Sequence, residues 1–304
     1  MPPWLSVLMP TCNGARYLAA ALDSVVAQDE PGLEVLVADD GSTDGTLEIV
    51  RRYQKLLPIR VVQEEKKSNW VAGTNVALRA AAGDYACVLH QDDLWLPGRA
   101  AAIRSARPFR LLVHPAVFIA ADGRRLGAWR TPLAEGSVGS AQFLEHLLVQ
   151  NFLAMPAPVF FREAALPLGL DEDLWYTADW DLWLRLGAGG PVRSIAQPLA
   201  AFRLHAASQT MARERGDLRR QLQVVLARHF DAWAAAVPAA VAGRVREVAG
   251  FSVEVNLALA AAQRGSPGAA LALAPRFLRL GPAGWARFLR DSRLRERIWS
   301  RLRA

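Results

Sequence analysis

The chain has 304 residues, 52% of them apolar and 21% charged, which suits one or two globular domains with a substantial buried core and excludes disorder for most of the length. Its net charge of +7 lies in the tail: Arg276 to Ala304 hold nine Arg against Asp291 and Glu296, and removing these from the 36 basic and 29 acidic residues leaves 27 of each. A nucleic-acid-binding core would carry a basic face of its own, so no nucleic-acid partner is expected and the tail reads as an attachment device. The 33 Arg against 3 Lys reflect coding bias, and no chemistry is drawn from them.

The N-terminus MPPWLSVLMP lacks a basic stretch before its apolar run, and no run reaches the 18 apolar residues of a spanning helix, so the expected location is the cytoplasm. Cys12 and Cys87 sit in apolar surroundings without ligand spacing and read as buried thiols.

Along the first ninety residues apolar runs alternate with amphipathic stretches. WLSVLMP precedes a helix near Ala15 to Gln28, LEVLVAD one near Thr43 to Leu56, IRVVQE one near Val71 to Ala82, and DYACVLH follows. Strict alternation of strand and helix predicts βαβ crossovers, hence an α/β domain with a mostly parallel central sheet. From Leu96 to Gly139 the pattern loosens, with strand signal at Leu111 to Ile119 and a turn at Asp122-Gly123. Helices are expected at Ala141 to Gln150 and Ala178 to Gly187, and a strand-like stretch at Val192 to Leu204 closes the domain near residue 210. From Met211 an Ala/Leu/Arg-rich helical extension runs to the end, broken at Pro238, at Gly265-Ser266-Pro267-Gly268 and at Gly281-Pro282.

Open parallel sheets bind ligands at the carboxyl ends of their strands, where three polar clusters fall. The first strand ends in Pro10-Thr11-Cys12-Asn13-Gly14, the second in Asp39-Asp40-Gly41-Ser42-Thr43-Asp44, and the fourth in His90-Gln91-Asp92-Asp93. Ser42 or Thr43 as a helix cap, with Asp44 in the first turn, accounts for the end of the second cluster but not for Asp39 and Asp40. Carboxylates crowded on one edge repel one another unless a cation compensates, which points to a divalent metal bridging to nucleotide phosphates.

The strings SVLMPTCNGARYLAAALDSVVAQ, EVLVADDGSTDGT, GTNVALRAAAGDYACVLHQDD, ADWDLWLRL and FRLH, in this order from Leu5 to Thr210, resemble the signature blocks of family-two glycosyltransferases with the GT-A fold. The resemblance implies a nucleotide-diphosphate-sugar donor, a Mn²⁺ or Mg²⁺ ion and an inverting transfer to a hydroxyl acceptor. By position Asp40 would accept the base N–H, Thr11 belongs to the loop against the base, and Pro10, Asn13 and Asp39 complete the donor-binding set. Asp93 would bind the metal, Asp92 the ribose or metal, His205 the metal or pyrophosphate, and Arg203 a phosphate. Two positions depart from the family: His90 stands where many members have an acid, and Cys12 where they have an aromatic.

In Thr177-Ala178-Asp179-Trp180-Asp181-Leu182-Trp183-Leu184-Arg185, Asp179 and Asp181 lie about 200° apart on a helix and cannot both face one site. Asp181 has Arg185 at ion-pair spacing, whereas Asp179 has no nearby cation. By resemblance Asp179 is the general base that takes the acceptor proton, with Asp171, Glu172 and Asp173 as rivals. Trp175, Trp180 and Trp183 read as core or as an acceptor platform, and Asn69 to Gly73 as a helix start near the donor.

In the tail, Trp285, Phe288, Leu289, Trp299 and Leu302 fall within about 140° of one helix face, with Arg287, Arg290, Arg293, Arg297 and Arg301 opposite. Such a helix suits an anionic membrane surface, on the inner face of the cell membrane, and equally suits packing on the bundle. The expected function is transfer to a glycan or lipid-linked acceptor in surface polysaccharide synthesis, UDP- or dTDP-sugar being the donor. The alternatives are a nucleotidyltransferase, for which PTCNGAR offers only Arg16, and an inactive nucleotide-sugar-binding or membrane scaffold.

Overall fold

In a computed structural model describing residues 2–63, 69–205, 216–262 and 268–303, the alternating pattern becomes β1 (Leu5–Thr11), α1 (Ala15–Val26), β2 (Leu33–Asp39), α2 (Thr46–Tyr53), β3 (Ile59–Gln63), α3 (Trp70–Ala80) and β4 (Tyr85–Val88). β1, β2 and β4 are buried at every residue, as parallel strands covered on both faces must be. α1 turns Leu18, Ala21, Leu22 and Val25 inward at helical spacing.

The chain continues through β5 (Leu94–Trp95), α4 (Arg99–Ala106), β6 (Leu111–Val113), β7 (Ala116–Ile119), β8 (Arg125–Trp129), β9 (Gly136–Val138) and α5 (Ser140–Leu147). β10 (Val159–Phe161), α6 (Arg162–Ala165), α7 (Ala178–Ala188), β11 (Val192–Ser194) and β12 (Ala200–Arg203) follow. Eight strands form one sheet in the order β3-β2-β1-β4-β10-β6-β11-β9, and a second sheet has the order β5-β12-β7-β8. The first four strands are parallel, while β10 runs antiparallel to both its neighbours and β9 antiparallel to β11.

The stretches Leu111 to Ile119 and Val192 to Leu204 each split between the two sheets. The breaks fall at Pro115 and around Pro198, residues that lack the N–H a continuous ladder requires. The second sheet, not foreseen in the sequence, is what carries β12 back to β5.

Where α3 meets β4 the backbone approaches β1 so closely that a Cβ at Gly83 would stand 2.9 Å from the Ser6 nitrogen and 3.0 Å from the Leu5 carbonyl carbon. The Gly83 N–H donates to Ser6 Oγ at 2.9 Å, and Ser6 Oγ donates to the buried Glu34 at 2.6 Å. Gly83→Ala must push backbone against backbone; the expected cost is about 1–3 kcal/mol, read as a Tm lower by several degrees in thermal unfolding.

The extension consists of α8 (Gly216–Ala234), α9 (Ala239–Ala262), α10 (Gly268–Leu271), α11 (Ala274–Arg279), α12 (Gly281–Ser292) and α13 (Leu294–Arg303). The domain boundary expected at 210 and 211 and most of the 265–268 break lie outside the described residues. One hydrophobic cluster joins Val225, Trp233, Val245, Phe251 and Phe288 of the extension to Leu147, Phe152, Phe160 and Trp183 of the α/β part.

The tail is not one amphipathic helix. It breaks at Arg293, in the left-handed region with φ +50°, which ends the common face the sequence suggested. Phe288 is buried and Trp285 stacks on Phe277, so two of the five apolar positions belong to the core. The arginines are engaged: Arg287 pairs with Glu145, Arg290 with Asp291 at 2.7 Å, Arg293 donates to the Thr131 carbonyl at 2.5 Å, and Arg297 to Asn256 Oδ1 at 2.6 Å. Leu289 and Trp299 remain 53% exposed, and the side chains of Arg301 and Leu302 lie outside the described residues. Among the described residues no helix is long and apolar enough to cross a membrane.

Candidate active site

The register pairs Thr11 of β1 with Asp39 of β2, and Leu8 with Val88 of β4, so the three loops leave the sheet on one edge. The chain winds from β1 outward to β3 and then returns to β4 on the other side, which opens a crevice beside β1. Gln91 spans it: its Oε1 accepts the Cys12 N–H at 2.8 Å and its Nε2 donates to the Cys12 carbonyl at 3.0 Å. A side chain at Gly14 would collide with the Gln91 amide, its Cβ 2.2 Å from Oε1. Gln91 is a positioning residue that the sequence alone did not single out, although it lies inside the His90-Gln91-Asp92-Asp93 run.

Asp39 is fully buried and spent on the loops: its carboxylate accepts Thr11 Oγ1 at 2.9 Å, Ser42 Oγ at 2.6 Å and the Ser42 N–H at 2.8 Å. It therefore ties the end of β1 to the loop after β2. Asn13, at φ +48°, accepts the Thr43 N–H at 2.8 Å, and its own N–H donates to Ser42 Oγ at 2.8 Å, lacing the first loop to the second. Neither Ser42 nor Thr43 caps α2. Asp44 does that work, accepting the Thr46 N–H at 2.9 Å and the Ala15 N–H at 3.0 Å. Pro10 and Thr11 end β1 beside these loops, and the Asp40 N–H donates to the Thr11 carbonyl at 2.8 Å, setting that partly exposed carboxylate at the mouth.

The third loop holds the charge. β5 pairs antiparallel with β12, Trp95 opposite Ala200 and Leu94 opposite Ala201, and continuing that register brings Arg203 and His205 alongside Asp92 and Asp93. His205 Nε2 lies 2.8 Å from Asp92 Oδ2, and the Arg203 N–H donates to Asp93 Oδ1 at 2.9 Å. Burial alone would raise the Asp92 carboxyl; the hydrogen bond from His205 and the adjacent His90 outweigh it and hold the carboxyl below its usual range. Asp93, 1% exposed, is pushed well above that range by burial and by the neighbouring Asp92 charge.

Among the described residues Asp93 Oδ2 and His90 Nε2 are buried and have no hydrogen-bond partner. Ligand atoms of His90, Asp92 and Asp93 lie within 4.8 Å of one another. Burial pushes the His90 imidazole toward its neutral form, which leaves a lone pair to give. Two orphaned acceptors beside a third oxygen fit a divalent cation, which makes His90 a candidate ligand where its sequence suggested only a lost carboxylate. His205 braces Asp92 through that contact. The Arg203 side chain, expected on a phosphate, is buried and directs Nε to the Asp92 carbonyl at 2.7 Å and Nη1 to the Ala120 and Ala121 carbonyls at 3.0 and 3.2 Å, so it clamps the loop instead.

On the other wall, Trp70 packs edge-on against His90 with ring centroids 5.2 Å apart and donates from Nε1 to the Trp175 carbonyl at 2.9 Å. Asn69 caps α3, accepting the Val71 N–H at 3.0 Å, and donates to the Glu172 carbonyl at 3.0 Å. Asn75 holds Leu170 through both its N–H and its carbonyl. Residues 69–75 thus anchor the segment that leads into α7.

Asp179 stands partly buried in the first turn of α7. Its Oδ1 accepts the Trp180 N–H at 2.7 Å and its Oδ2 accepts Asn151 Nδ2 at 3.0 Å. Burial outweighs both bonds and raises its pKa to about 6, the range useful to a general base. Asp181 faces away and is fully buried, paired with Arg185 at 2.8 Å, as its spacing predicted, and also with Arg228 at 2.9 Å and His229 at 2.8 Å. Of the rival bases, Asp171 pairs with Arg228 at 2.9 Å, Glu172 accepts from Asn75 at 3.0 Å, and Asp173 is exposed. Trp180 and Trp183 are buried in the core, and Trp175 is partly exposed.

Comparison with known proteins bears on this edge. The family model described as glycosyl transferase family 2 matches residues 6–103, which include all three loops. The chain is 38% identical over 94 residues to the putative teichuronic acid biosynthesis glycosyltransferase TuaG of Bacillus subtilis, 31% of this chain and 37% of the relative. It is 41% identical over 91 residues, 29% of this chain and 16% of the relative, to the poly(ribitol-phosphate) beta-N-acetylglucosaminyltransferase TarS of Staphylococcus aureus. An uncharacterized glycosyltransferase of Haemophilus influenzae is 24% identical over 216 residues, 67% of this chain and 66% of the relative. The chain thus spans between 16% and 66% of the length of these curated relatives.

Among solved structures, S. aureus TarS in complex with UDP-GlcNAc superposes with a TM-score of 0.66 at 20% identity, over 83% of this chain and 72% of the other. The mannosyltransferase PcManGT from Pyrobaculum calidifontis, in complex with GDP-Man and Mn²⁺, gives 0.54 at 22% identity over 99% and 87%. These likenesses establish the GT-A type of fold, and the glycosyl transferase family 2 model matches the stretch that carries the three loops of the crevice.

Proposed function

We propose that the chain transfers a sugar from a nucleotide-diphosphate donor, UDP- or dTDP-linked, to a hydroxyl of a glycan or lipid-linked acceptor in surface polysaccharide synthesis. The observation that carries this reading is the pair of orphaned acceptors, Asp93 Oδ2 and His90 Nε2, set beside Asp92 at the carboxyl edge of the parallel strands. Asp92, Asp93 and His90 would hold a Mn²⁺ or Mg²⁺ ion, which supplies charge neutralisation on the leaving diphosphate. Pro10, Thr11, Asn13 and Asp40 line the nucleotide side. Asp179 takes the acceptor proton as the hydroxyl attacks the anomeric carbon opposite the leaving group, an in-line displacement that inverts that centre. The relatives named for teichuronic acid synthesis and for poly(ribitol-phosphate) support the surface-polymer context. A peripheral membrane association in the cytoplasm rests on the exposed Leu289 and Trp299 beside the tail arginines.

Calorimetric titration with UDP-, dTDP- and GDP-sugars, in Mn²⁺ and then in EDTA, tests the donor site. Metal-dependent binding of one donor is expected; a folded protein that binds none refutes the proposal. A neutral imidazole beside two carboxylates ranks first-row ions above Mg²⁺. Donor affinity is therefore expected to be higher in Mn²⁺ than in Mg²⁺, and His90→Asp, which restores a hard oxygen, is expected to narrow that gap.

A further inference from the structure

Asn151 lies 28 residues before Asp179 in a stretch without regular structure between α5 and β10. Its side chain is fixed at both ends: Oδ1 accepts the Leu153 N–H at 3.1 Å, and Nδ2 donates to Asp179 Oδ2 at 3.0 Å. Turning the amide over would set its oxygen against a carboxylate and its NH₂ against an N–H, so the observed sense is the one the partners enforce. Asp179 Oδ1 is held from the other side by the Trp180 N–H. The carboxylate therefore has one defined orientation, and Asn151 sets half of it.

The residue before it leads into the extension. Gln150 Oε1 accepts Ser252 Oγ at 2.9 Å and Asn256 Nδ2 at 2.8 Å, both from α9. Asn256 in turn accepts Arg297 of α13 at 2.6 Å. Ser252, Asn256 and Arg297 are all buried, where an unmade polar contact is costly, so the chain of bonds is stiff. A second, separate brace reaches α7 itself: Arg228 and His229 of α8 both bind the buried Asp181, two residues beyond Asp179.

We infer that the C-terminal helices are part of the catalytic apparatus, holding Gln150 so that Asn151 orients the Asp179 carboxylate for its attack on the acceptor proton. Asn151 and Gln150 are positioning residues, and the inference rests on the reading of Asp179 as the base. The nearby titratable and charged groups are Asp181, Arg185, Arg228 and His229, already locked in their own cluster on the far side of α7. Among the described residues the donors to the Asp179 carboxylate from outside the residue itself are thus the Asn151 amide and the Trp180 backbone.

The test is carbon-13 NMR titration of aspartate side-chain carboxyls in the full chain, with the Asp179 signal assigned by its loss in Asp179→Asn. In wild type the signal is expected to titrate near pH 6. Asn151→Ala removes a donor that favours the ionised form, so its midpoint should rise by about one pH unit. Gln150→Ala, which leaves Asn151 in place but frees it from α9, should move the midpoint the same way by a smaller amount. A purely structural role would lower Tm and leave the midpoint unmoved, and that result in both variants overturns the inference. Release of nucleoside diphosphate from the donor, to water or acceptor, is followed in parallel. If Asp179→Asn keeps the wild-type rate, the base reading itself falls; if Asp179→Asn is inactive while Asn151→Ala keeps the wild-type rate and pH profile, only the positioning role does. Should Asn151→Ala fail to fold, Gln150→Ala and Asn151→Ser carry the same comparison.

Discussion

Asp179→Asn is expected to reduce sugar transfer by about 10²- to 10⁴-fold while leaving donor affinity within a small factor of wild type. The substitution is isosteric; it removes the charge and the capacity to take a proton and turns one acceptor oxygen into a donor. Among the described residues Asp179 has no hydrogen bond to the His90, Asp92 and Asp93 group or to the loops of β1 and β2; its carboxylate accepts from Trp180 and Asn151. The new amide leaves one donor facing another, so a modest fall in Tm accompanies the loss; the donor titration shows whether the crevice survives it. The wild-type rate carries a second signature. The base works as the carboxylate, whose pKa is raised to about 6 by burial. Transfer should therefore be full above that value and fall tenfold per unit as pH drops below it, whereas an unperturbed aspartate would hold the rate down to about pH 4. A flat profile from pH 7 to 4.5, or wild-type turnover in Asp179→Asn, would remove Asp179 from the base role.

What could be read from the sequence was whatever is local in the chain. Continuous apolar runs and period-3.6 patterns located β1 to β4 and α1 to α3, because buried parallel strands and amphipathic helices advertise themselves in short windows. The three strand-end clusters followed from the same reading, since the carboxyl edge of a parallel sheet is fixed by topology. Asp181 was separable from Asp179 because the pairing with Arg185 sits within one helical turn.

The rest depended on contacts between distant segments. Nothing in Arg203 distinguishes a phosphate ligand from a clamp on the carbonyls of Asp92, Ala120 and Ala121 until β12 is seen beside β5. His90 looked like a loss of charge in the motif, and only the burial of its Nε2 close to Asp92 and Asp93 makes it a candidate metal ligand. Asn151 carries no motif at all; its meaning comes from an Asp 28 residues on and helices a hundred residues away. The tail misled because its apolar spacing continues across Arg293 while its backbone does not.

Asp93→Asn separates metal binding from architecture, because the amide oxygen still accepts the Arg203 N–H that Oδ1 receives at 2.9 Å. Metal-dependent donor binding is expected to weaken by at least about 100-fold, since loss of a direct ligand should exceed the 10- to 100-fold typical of outer-shell changes. Stability of the metal-free protein should move the opposite way. The folded state raises the Asp93 carboxyl well above its unfolded value through burial and the adjacent Asp92, so it binds a proton that the unfolded chain would release. The penalty for ionising this site grows as pH rises from the unfolded toward the folded pKa and is relieved as pH falls. At neutral pH, removing the charge removes the penalty, and the metal-free Tm of Asp93→Asn should equal or exceed that of wild type. Wild type should in turn gain Tm on adding Mn²⁺ with donor, by mass action on the folded state, and Asp93→Asn should not. For the same reason metal affinity in wild type should fall as pH falls, the ion having to displace the proton on Asp93. An Asp93→Asn protein that is less stable without metal yet binds Mn²⁺ and donor as wild type does would mean that Asp93 serves Arg203 and the loop alone, and that the ion, if one is used, is held elsewhere.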